Sequence, residues 1–344
     1  MTLWLTRAGS SGEYESRFLS EGRIYLTWHE LTNNLEKLKT RQELHDLLVA
    51  TYPEDKPARL RNWASQIWPF VKRMKVGDWV VLPSKQKASI HVGEITGEYT
   101  YNPDGPAPYY HYRTVNWFAT DIPRSNFDQD ILYSFGAFMT ICRISRNDAK
   151  NRVKAMAQNN WKSTVTTTLP DTPDTSDAEV SGFYDIERIA RDQIAKFLER
   201  KFKGHAMSRL IEAILQAQGY VTYRSPEGPD KGVDLLAATG ALGFGSPKLC
   251  VQVKTGDNPI DRPTLDQLIG TMHNFGAEQG LLVSWSGFKS SVDKEIPAQF
   301  FRVRLWDQDA IIEELLNSYE KIGDELKAEL PLRKVWALTF SEDD

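Results

Sequence analysis

The sequence predicts a two-domain protein of mixed class, α+β followed by α/β: a small curled sheet or barrel carrying helices, then a mixed sheet flanked by helices. Three observations lead there. The chain has 344 residues, and at roughly 100 to 200 residues per domain this favours two cores over one. Residues 162–182 are dominated by Thr, Ser, Pro and Asp with almost nothing apolar, a composition that cannot bury enough surface to fold and reads as a flexible linker. Short strand-like runs prevail before that segment, whereas helices alternate with strands after it. The domains are therefore expected at 1–161 and 183–344.

In the first domain the strand candidates are WLTRAG, RIYLTWH, DWVVLPS, IHVGEITGEYTYN, HYRTVNWFATDI and FMTICRIS. Gly77-Asp78 and the segments 84–88 and 103–108 supply turn chemistry between them. Residues 56–74 place Leu60, Trp63, Ile67 and Phe70-Val71 at three- and four-residue steps, which predicts an amphipathic helix. One or two helices on a curled sheet is the expected result. Seven of the ten tryptophans lie at or before Trp161, so this half is rich in aromatic surface.

The second domain opens with helices predicted over 184–202 and 205–218, separated by Gly204 and closed by Gly219. GYVTYRS, VDLLAA and KLCVQVKTG follow as strands, with turns at 226–232 and 240–247. A helix near 264–275, the strand QGLLVSWSG, the strand FFRVRLWD and a helix over 308–319 complete the pattern. Strands and helices in this order give a mixed sheet with helices on its faces.

Composition excludes several classes. Hydrophobic residues are 41% and charged residues 26%, so the chain is neither disordered nor fibrous. No apolar run approaches the ~20 residues of a membrane span. The first residues, MTLWLTRAGSSGEYESR, lack the pattern of a secretory signal, so a cytoplasmic protein without membrane contact is expected. Cys142 and Cys250 are too few for a disulfide framework or a zinc site and read as buried thiols. Net charge is −4, but it divides: 21 Lys and Arg stand against 17 Asp and Glu up to residue 161, and 21 against 29 beyond it. The basic half suits contact with phosphates, and the acidic half needs metal or a local basic patch to approach a polyanion.

Chemistry concentrates in two strands of the second domain, where polar residues interrupt apolar runs at a cost in free energy. Asp234 begins one strand. On the other, Gln252 and Lys254 are two apart and share a face, with Val251 and Val253 on the opposite one. If the strands pair through the 240–247 turn, these groups converge. A carboxylate, an amide oxygen and the main-chain carbonyl of Val253 are hard oxygen ligands suited to Mg2+, and a lysine beside them can orient water and stabilise phosphoryl charge. The pattern is that of phosphodiester hydrolysis. GALGFG does not follow a strand and open a helix, so no nucleotide cofactor is expected. His29-Glu30 lacks the second histidine of a zinc protease, and no serine has a credible His/Asp set.

From about residue 204 to 309 the motifs GHAMSRLIEAILQAQGY, PDKGVDLLA, CVQVKTG, GLLVSWSGF and VRLWD resemble the catalytic domain of Mrr-type restriction endonucleases, a branch of the PD-(D/E)xK nuclease superfamily. In that branch glutamine usually replaces the second acid, as in Asp234…Gln252-Val253-Lys254. The resemblance implies a restriction-endonuclease-like fold and a Mg2+-dependent nuclease, with Mn2+ as an expected substitute. Asp234 is then a metal ligand, Gln252 a supporting ligand or positioning group, and Lys254 the water-orienting or charge-stabilising group. Many members carry glutamate in the first helix where this chain has Ser208. Glu212, one turn later, is the candidate replacement, and Asp230, Ser208 and His205 are expected around the site.

The first domain resembles, less specifically, the PUA superfamily of small barrels that includes the EVE and YTH readers of modified bases. That resemblance implies a flipped base held between aromatic rings beside a basic surface. Candidate pocket residues are Trp28, Trp68, Trp79, Tyr99 and Trp117. Candidate phosphate contacts are Lys72, Arg73, Lys75, Lys85, Lys87, Arg113 and Arg124. Together the two resemblances imply a modification-dependent restriction enzyme acting on DNA in antiviral defence, with imprecise cut positions from a flexible tether and a homodimer as the means of cutting both strands. Two alternatives remain open at this point: a non-cleaving binder of modified DNA or RNA with a degenerate nuclease fold, and a nuclease directed at RNA.

Overall fold

The computed structural model describes residues 1–137, 139–163, 185–226, 232–256 and 258–337. It divides into two compact units, one built on Met1–Asp192 and the other on Gln193–Trp336. Residues 164–182 of the expected linker lie outside the described residues.

The first unit contains β1 (Leu3–Thr6), α1 (Glu15–Ser20), β2 (Arg23–Leu26), α2 (Arg41–Thr51), α3 (Pro57–Lys72), β3 (Trp79–Pro83), β4 (Ser89–Ile95), β5 (Thr100–Tyr101), β6 (His111–Pro123), α4 (Gln129–Phe135), β7 (Ile141–Arg143) and α5 (Ala149–Gln158). Its sheet runs β2-β6-β4-β3-β1-β7, with β5 also on β6. The β1–β3 pair is parallel and the others are antiparallel. The sheet curls because β6 pairs with β2 and β5 at one end and with β4 along the rest, across register shifts at Ile90/Val92 and Val92/Gly93. Such bulges bend a strand and increase its twist. A Cβ at Gly93 would sit 2.5 Å from Val115 Cγ1 and 2.8 Å from Trp117 Cε3, so glycine permits the tight crossing.

Both faces of this sheet are covered, which explains the near-continuous apolar runs of its strands. Trp4, Val80 and Leu82 pack under α2 and α3 against Leu44, Leu60, Ile67 and Phe70. Leu3, Leu5 and Val81, one residue out of phase, pack against Ile131, Leu132, Val153 and Met156 of α4 and α5. Among its described residues the unit therefore has five α-helices where the sequence predicts one or two. The added ones are short or amphipathic over few turns, and α2 begins with a capping box: Glu43 N–H donates to Thr40 Oγ1, and Lys39 N–H donates to Glu43.

Two expected phosphate contacts are instead internal. Arg113 is 1% exposed; its guanidinium donates to the carbonyls of Phe70 at 2.7 Å, Val71 at 3.1 Å and Gly97 at 3.3 Å. It thus satisfies open carbonyls at the end of α3. Arg124 makes a buried two-pronged pair with Asp192, at 2.8 and 2.6 Å. Tyr99, an expected base-pocket residue, is likewise a core residue: Leu35 N–H donates to its hydroxyl, which in turn donates to His111 Nδ1 at 2.8 Å. His111 Nε2–H donates to the Leu31 carbonyl at 2.7 Å, since a carbonyl can only accept.

The second unit contains the larger part of α6 (Ile186–Lys201), then α7 (His205–Ala217), β8 (Val221–Arg224), β9 (Leu235–Ala238), β10 (Lys248–Lys254), α8 (Arg262–Phe275), β11 (Gln279–Ser284), α9 (Ser290–Asp293), α10 (Ile296–Gln299), β12 (Val303–Trp306), α11 (Gln308–Ser318) and α12 (Asp324–Glu329). The sheet order is β12-β11-β10-β9-β8. Strands β10, β11 and β12 are parallel, whereas β8, β9 and β10 are antiparallel. Leu235, Val251, Val253, Leu281 and Val283 pack with α7 and α11 on one face. Cys250, Leu282 and Val303 pack with Leu265, Leu268 and Met272 of α8 on the other. This is the predicted mixed sheet with helices on both faces. No helix among the described residues is long and apolar enough to cross a membrane.

Replacing Arg124 by Ala removes the two-pronged partner of the buried Asp192 and leaves it only the longer contact with Arg188 at 3.6 Å, a change expected to cost several kcal/mol, up to the roughly 3–5 kcal/mol of a broken buried pair. Chemical denaturation of the Arg124→Ala chain is expected to show that loss, whereas a surface role would leave stability within about 0.5 kcal/mol. The second expectation concerns acid. Burial pushes the His111 imidazole down to about 4, so between that pH and the ordinary histidine range the unfolded chain binds a proton that the folded chain does not. Stability is then full above about pH 6.5 and falls as the pH drops toward 4, by about 3 kcal/mol. Denaturation at pH 7 and pH 4.5 checks this, and His111→Gln is expected to flatten the difference.

Candidate active site

Strand β10 is the central element of the second unit, and the expected site lies where its pairing with β9 ends. The last paired residues are Val251 and Leu235. One step beyond, Asp234 N–H donates to the Val251 carbonyl at 3.0 Å. The Asp234 carboxylate then takes the place of the missing strand: its Oδ2 accepts from Val253 N–H at 2.8 Å. Ser225 N–H donates to the Asp234 carbonyl at 2.9 Å, so the end of β8 holds the same residue from its other side. The N–H and C=O of one extended residue point toward the same neighbouring strand. Val253 therefore turns its carbonyl toward the edge where the carboxylate sits, while the Lys254 carbonyl faces β11 and accepts from Trp285 N–H at 3.1 Å.

Because Val251 and Val253 enter the core under α7, Gln252 and Lys254 stand on the opposite face of β10. Gln252 is 2% exposed and its Oε1 has no hydrogen-bond partner among the described residues. A buried acceptor left alone costs about 1–3 kcal/mol. Lys254 is half-buried at the strand end. The first helix of the site is tied down at its start, where Gly204 N–H donates to Thr255 Oγ1 at 3.1 Å. Ser208 of α7, 3% exposed, lies with its hydroxyl 3.5 Å from Asp234 Oδ1.

Glu212 is engaged elsewhere. Its carboxylate pairs with Arg224 at 3.0 Å and accepts from Thr222 Oγ1 at 3.1 Å. His205 is exposed at the start of α7, and Asp230 lies outside the described residues. Among the described residues no group of three or more His, Cys, Asp or Glu side chains is assembled for a metal ion. The donors near Asp234 are instead one carboxylate, one unpartnered amide oxygen and a main-chain carbonyl. All are hard oxygen donors, a set that fits Mg2+ or Mn2+ with water and phosphate oxygens as further ligands, and does not fit zinc.

Residues 199–315 match Mrr_cat, a restriction endonuclease family, and residues 4–141 match a domain of unknown function, DUF8426. The second unit thus carries a domain of the restriction endonuclease type. No curated protein matches the chain. Seven chains of solved structures match it. One is the DNA modification-dependent restriction endonuclease AspBHI, 11% identical, with 90% of this chain and 78% of that chain covered and a TM-score of 0.34. Another is the MspJI restriction endonuclease in complex with a 27-mer oligonucleotide, 13% identical, with 96% and 80% covered and a TM-score of 0.32.

The aromatic residues expected to form a base pocket in the first unit are divided by the sheet. Trp28, Trp68, Tyr99 and Trp117 border the core under α2 and α3. Trp79 borders the opposite core and packs on Phe118 at 4.8 Å. Trp28 meets Trp63 edge to face at 6.1 Å, and Trp117 Nε1–H donates to the Phe18 carbonyl at 2.9 Å. Of the expected phosphate contacts, Lys72, Arg73 and Lys75 are exposed together at the end of α3, where Lys72 also donates to the Glu36 carbonyl at 2.7 Å. Lys85 pairs with Asp185 at 3.1 Å, and Lys87 is exposed in the neighbouring turn.

A cleft of about 400 Å³ in the same unit has Arg17, Arg23, Tyr25 and Tyr109 among its walls, residues that the sequence alone does not single out. The spacing of Arg17, Glu21, Arg23 and Tyr25 across a short helix and a strand was the available signal, a basic and aromatic interleaving of the kind that binds nucleic acid.

The two α7 positions separate cleanly. Glu212→Gln is expected to leave the rate of DNA cleavage within about threefold of wild type, and to cost stability on the scale of one partly exposed pair, at most about 1 kcal/mol. Ser208→Ala is expected to lower the rate severalfold by releasing Asp234. Single-turnover cleavage of the two variants checks the order, and the reverse order would move the helix contribution to Glu212.

Proposed function

We propose that this chain is a Mg2+-dependent endonuclease that hydrolyses DNA phosphodiester bonds, its second unit cutting and its first unit docking on DNA that carries modified bases. The observation that carries the reading is the buried, unpartnered Oε1 of Gln252, one residue from the point where Asp234 is fixed on β10. An acceptor so placed is costly unless a cation or a donor is to meet it. Asp234, Gln252 and the Val253 carbonyl would hold the ion. When bound there, Mg2+ supplies positive charge to the phosphoryl oxygens as negative charge builds on them.

The remaining work falls to the chain's own groups. Asp234 is oriented by Val253 N–H and kept in place from the α7 side by Ser208. Lys254 lies two residues along the same face as Gln252, where its ammonium can orient the attacking water and offset charge on the phosphate. The match of residues 199–315 to a restriction endonuclease family supports the reaction class. The basic balance of the first 161 residues, 21 against 17, and their abundance of aromatic rings support DNA docking by the first unit. One ion and one lysine per chain cut one strand, so a homodimer or sequential nicks complete a double-strand break.

Cleavage is tested with Mg2+ on DNA carrying cytosine or adenine modifications, beside unmodified DNA and RNA. Asp234→Asn and Lys254→Ala are expected to lower the rate by at least about a thousandfold while DNA binding persists. Binding without cleavage by the wild-type chain, on every substrate, would replace this reading with that of a non-cleaving module. Cleavage confined to RNA would move the substrate.

A further inference from the structure

The cleft of about 400 Å³ on the first unit is lined by two arginines, Arg17 and Arg23, and by Glu21, Tyr25, Asn102 and Pro106 among others. Its volume is at the low end of pockets that take small molecules, roughly 300–1,000 Å³, and matches one nucleotide unit rather than a folded partner. Both arginines lie over tyrosine rings. Arg17 Cζ lies 3.9 Å from the Tyr109 ring centre and Arg23 Cζ 4.2 Å from that of Tyr112. Those rings are themselves braced by Tyr25, 2% exposed, at 5.1 and 5.8 Å. A guanidinium fixed in this way loses little freedom when it binds, and its planar fork suits the oxygens of a phosphate.

Glu21 stands between the two. Its Oε1 accepts from Arg17 Nε at 2.8 Å, its Oε2 accepts from the Tyr25 hydroxyl, and Arg23 Nη1 is 3.8 Å away. Arg23 Nη1 also donates to the Tyr25 hydroxyl at 3.2 Å. The hydrogen bond from Tyr25, with the charge of Arg17, holds the Glu21 carboxyl below its ordinary range. Two guanidiniums facing one carboxylate leave an excess of one positive charge. Each guanidinium has five donors, so donors remain for a second anion on both.

We propose that Arg17 and Arg23 grip a backbone phosphate of the DNA strand in this cleft, with Asn102 and Pro106 against the adjoining sugar or base. The proposal rests on the reading of the first unit as the DNA-docking half. Glu21 acts as an internal competitor that occupies the arginines until the phosphate arrives, so its removal strengthens binding instead of weakening it.

The test uses the full chain without divalent metal and a fluorescent duplex carrying modified cytosine, with affinity followed by anisotropy over a range of salt. Arg17→Gln and Arg23→Gln are each expected to weaken binding about tenfold, and the double variant to lower the slope of log affinity against log salt by about 0.9, the value for one lost phosphate contact. Glu21→Gln is expected to tighten binding severalfold, an outcome that a damaged fold cannot produce. Lys154→Gln, exposed on α5, is the control and should match wild type. Inorganic phosphate and deoxycytidine monophosphate compete in further arms. Displacement of the duplex at millimolar concentration supports the shared phosphate chemistry, and tight nucleotide binding that the duplex does not displace would overturn the DNA assignment. Arginine variants that bind with wild-type affinity and slope would overturn this proposal alone. A wild-type chain that binds no duplex would overturn it together with the reading of the first unit.

Discussion

The hydrogen bond from Val253 N–H to the Asp234 carboxylate governs the second unit. A buried central strand must satisfy its amides along both edges, and β9 stops pairing with β10 after Leu235 and Val251. Without Asp234, the next amide on that edge would face the interior alone. The same carboxylate that closes the ladder is thereby held against the one stretch of β10 whose face is polar, Gln252 and Lys254. Structural need and the proposed chemistry coincide at one side chain. The parallel strands β10, β11 and β12 also place their carboxyl ends together there, the usual position for ligands in open sheets with helices on both faces.

The first unit solves a different problem, a strongly curled sheet with two cores. The cost of curvature is met by bulges and by Gly93 on β4, and the polar ends of α3 are met by Arg113 instead of water. Arg124 and Asp192 carry the same logic further, since each is 4% exposed in its side chain and each neutralises the other. These arginines serve the interior, whereas Arg17, Arg23 and the exposed group at the end of α3 are among the cations that reach the surface of this unit.

Much of this was legible in the sequence, for physical reasons that differ by element. The strands of both sheets and helices α3, α6, α7, α8 and α11 followed from periodicity, because each buries a face against a core and must repeat at the matching interval. The position of Asp234 opposite residues 252–254 followed from a hairpin between two apolar runs. What escaped were features set by long-range contacts. Arg113 and Arg124 look like surface charges until the end of α3 and Asp192 meet them, since nothing within a few residues of either shows burial. Tyr99 is drawn inward by His111 and Leu35. The tryptophans fall on two faces of a sheet whose bulges shift the alternation. The capping box at Thr40 and Glu43, by contrast, was a local signal for α2 that the strand-rich surroundings obscured.

The claim on which the rest turns is that the unpartnered oxygen of Gln252 awaits a cation. Electron paramagnetic resonance of Mn2+ titrated into the full chain tests it directly. One ion bound per chain, and weakened binding in Gln252→Met with the fold intact by circular dichroism, is the predicted result. Mn2+ bound equally well by Gln252→Met, or no specific ion bound by the wild-type chain, would contradict the assignment.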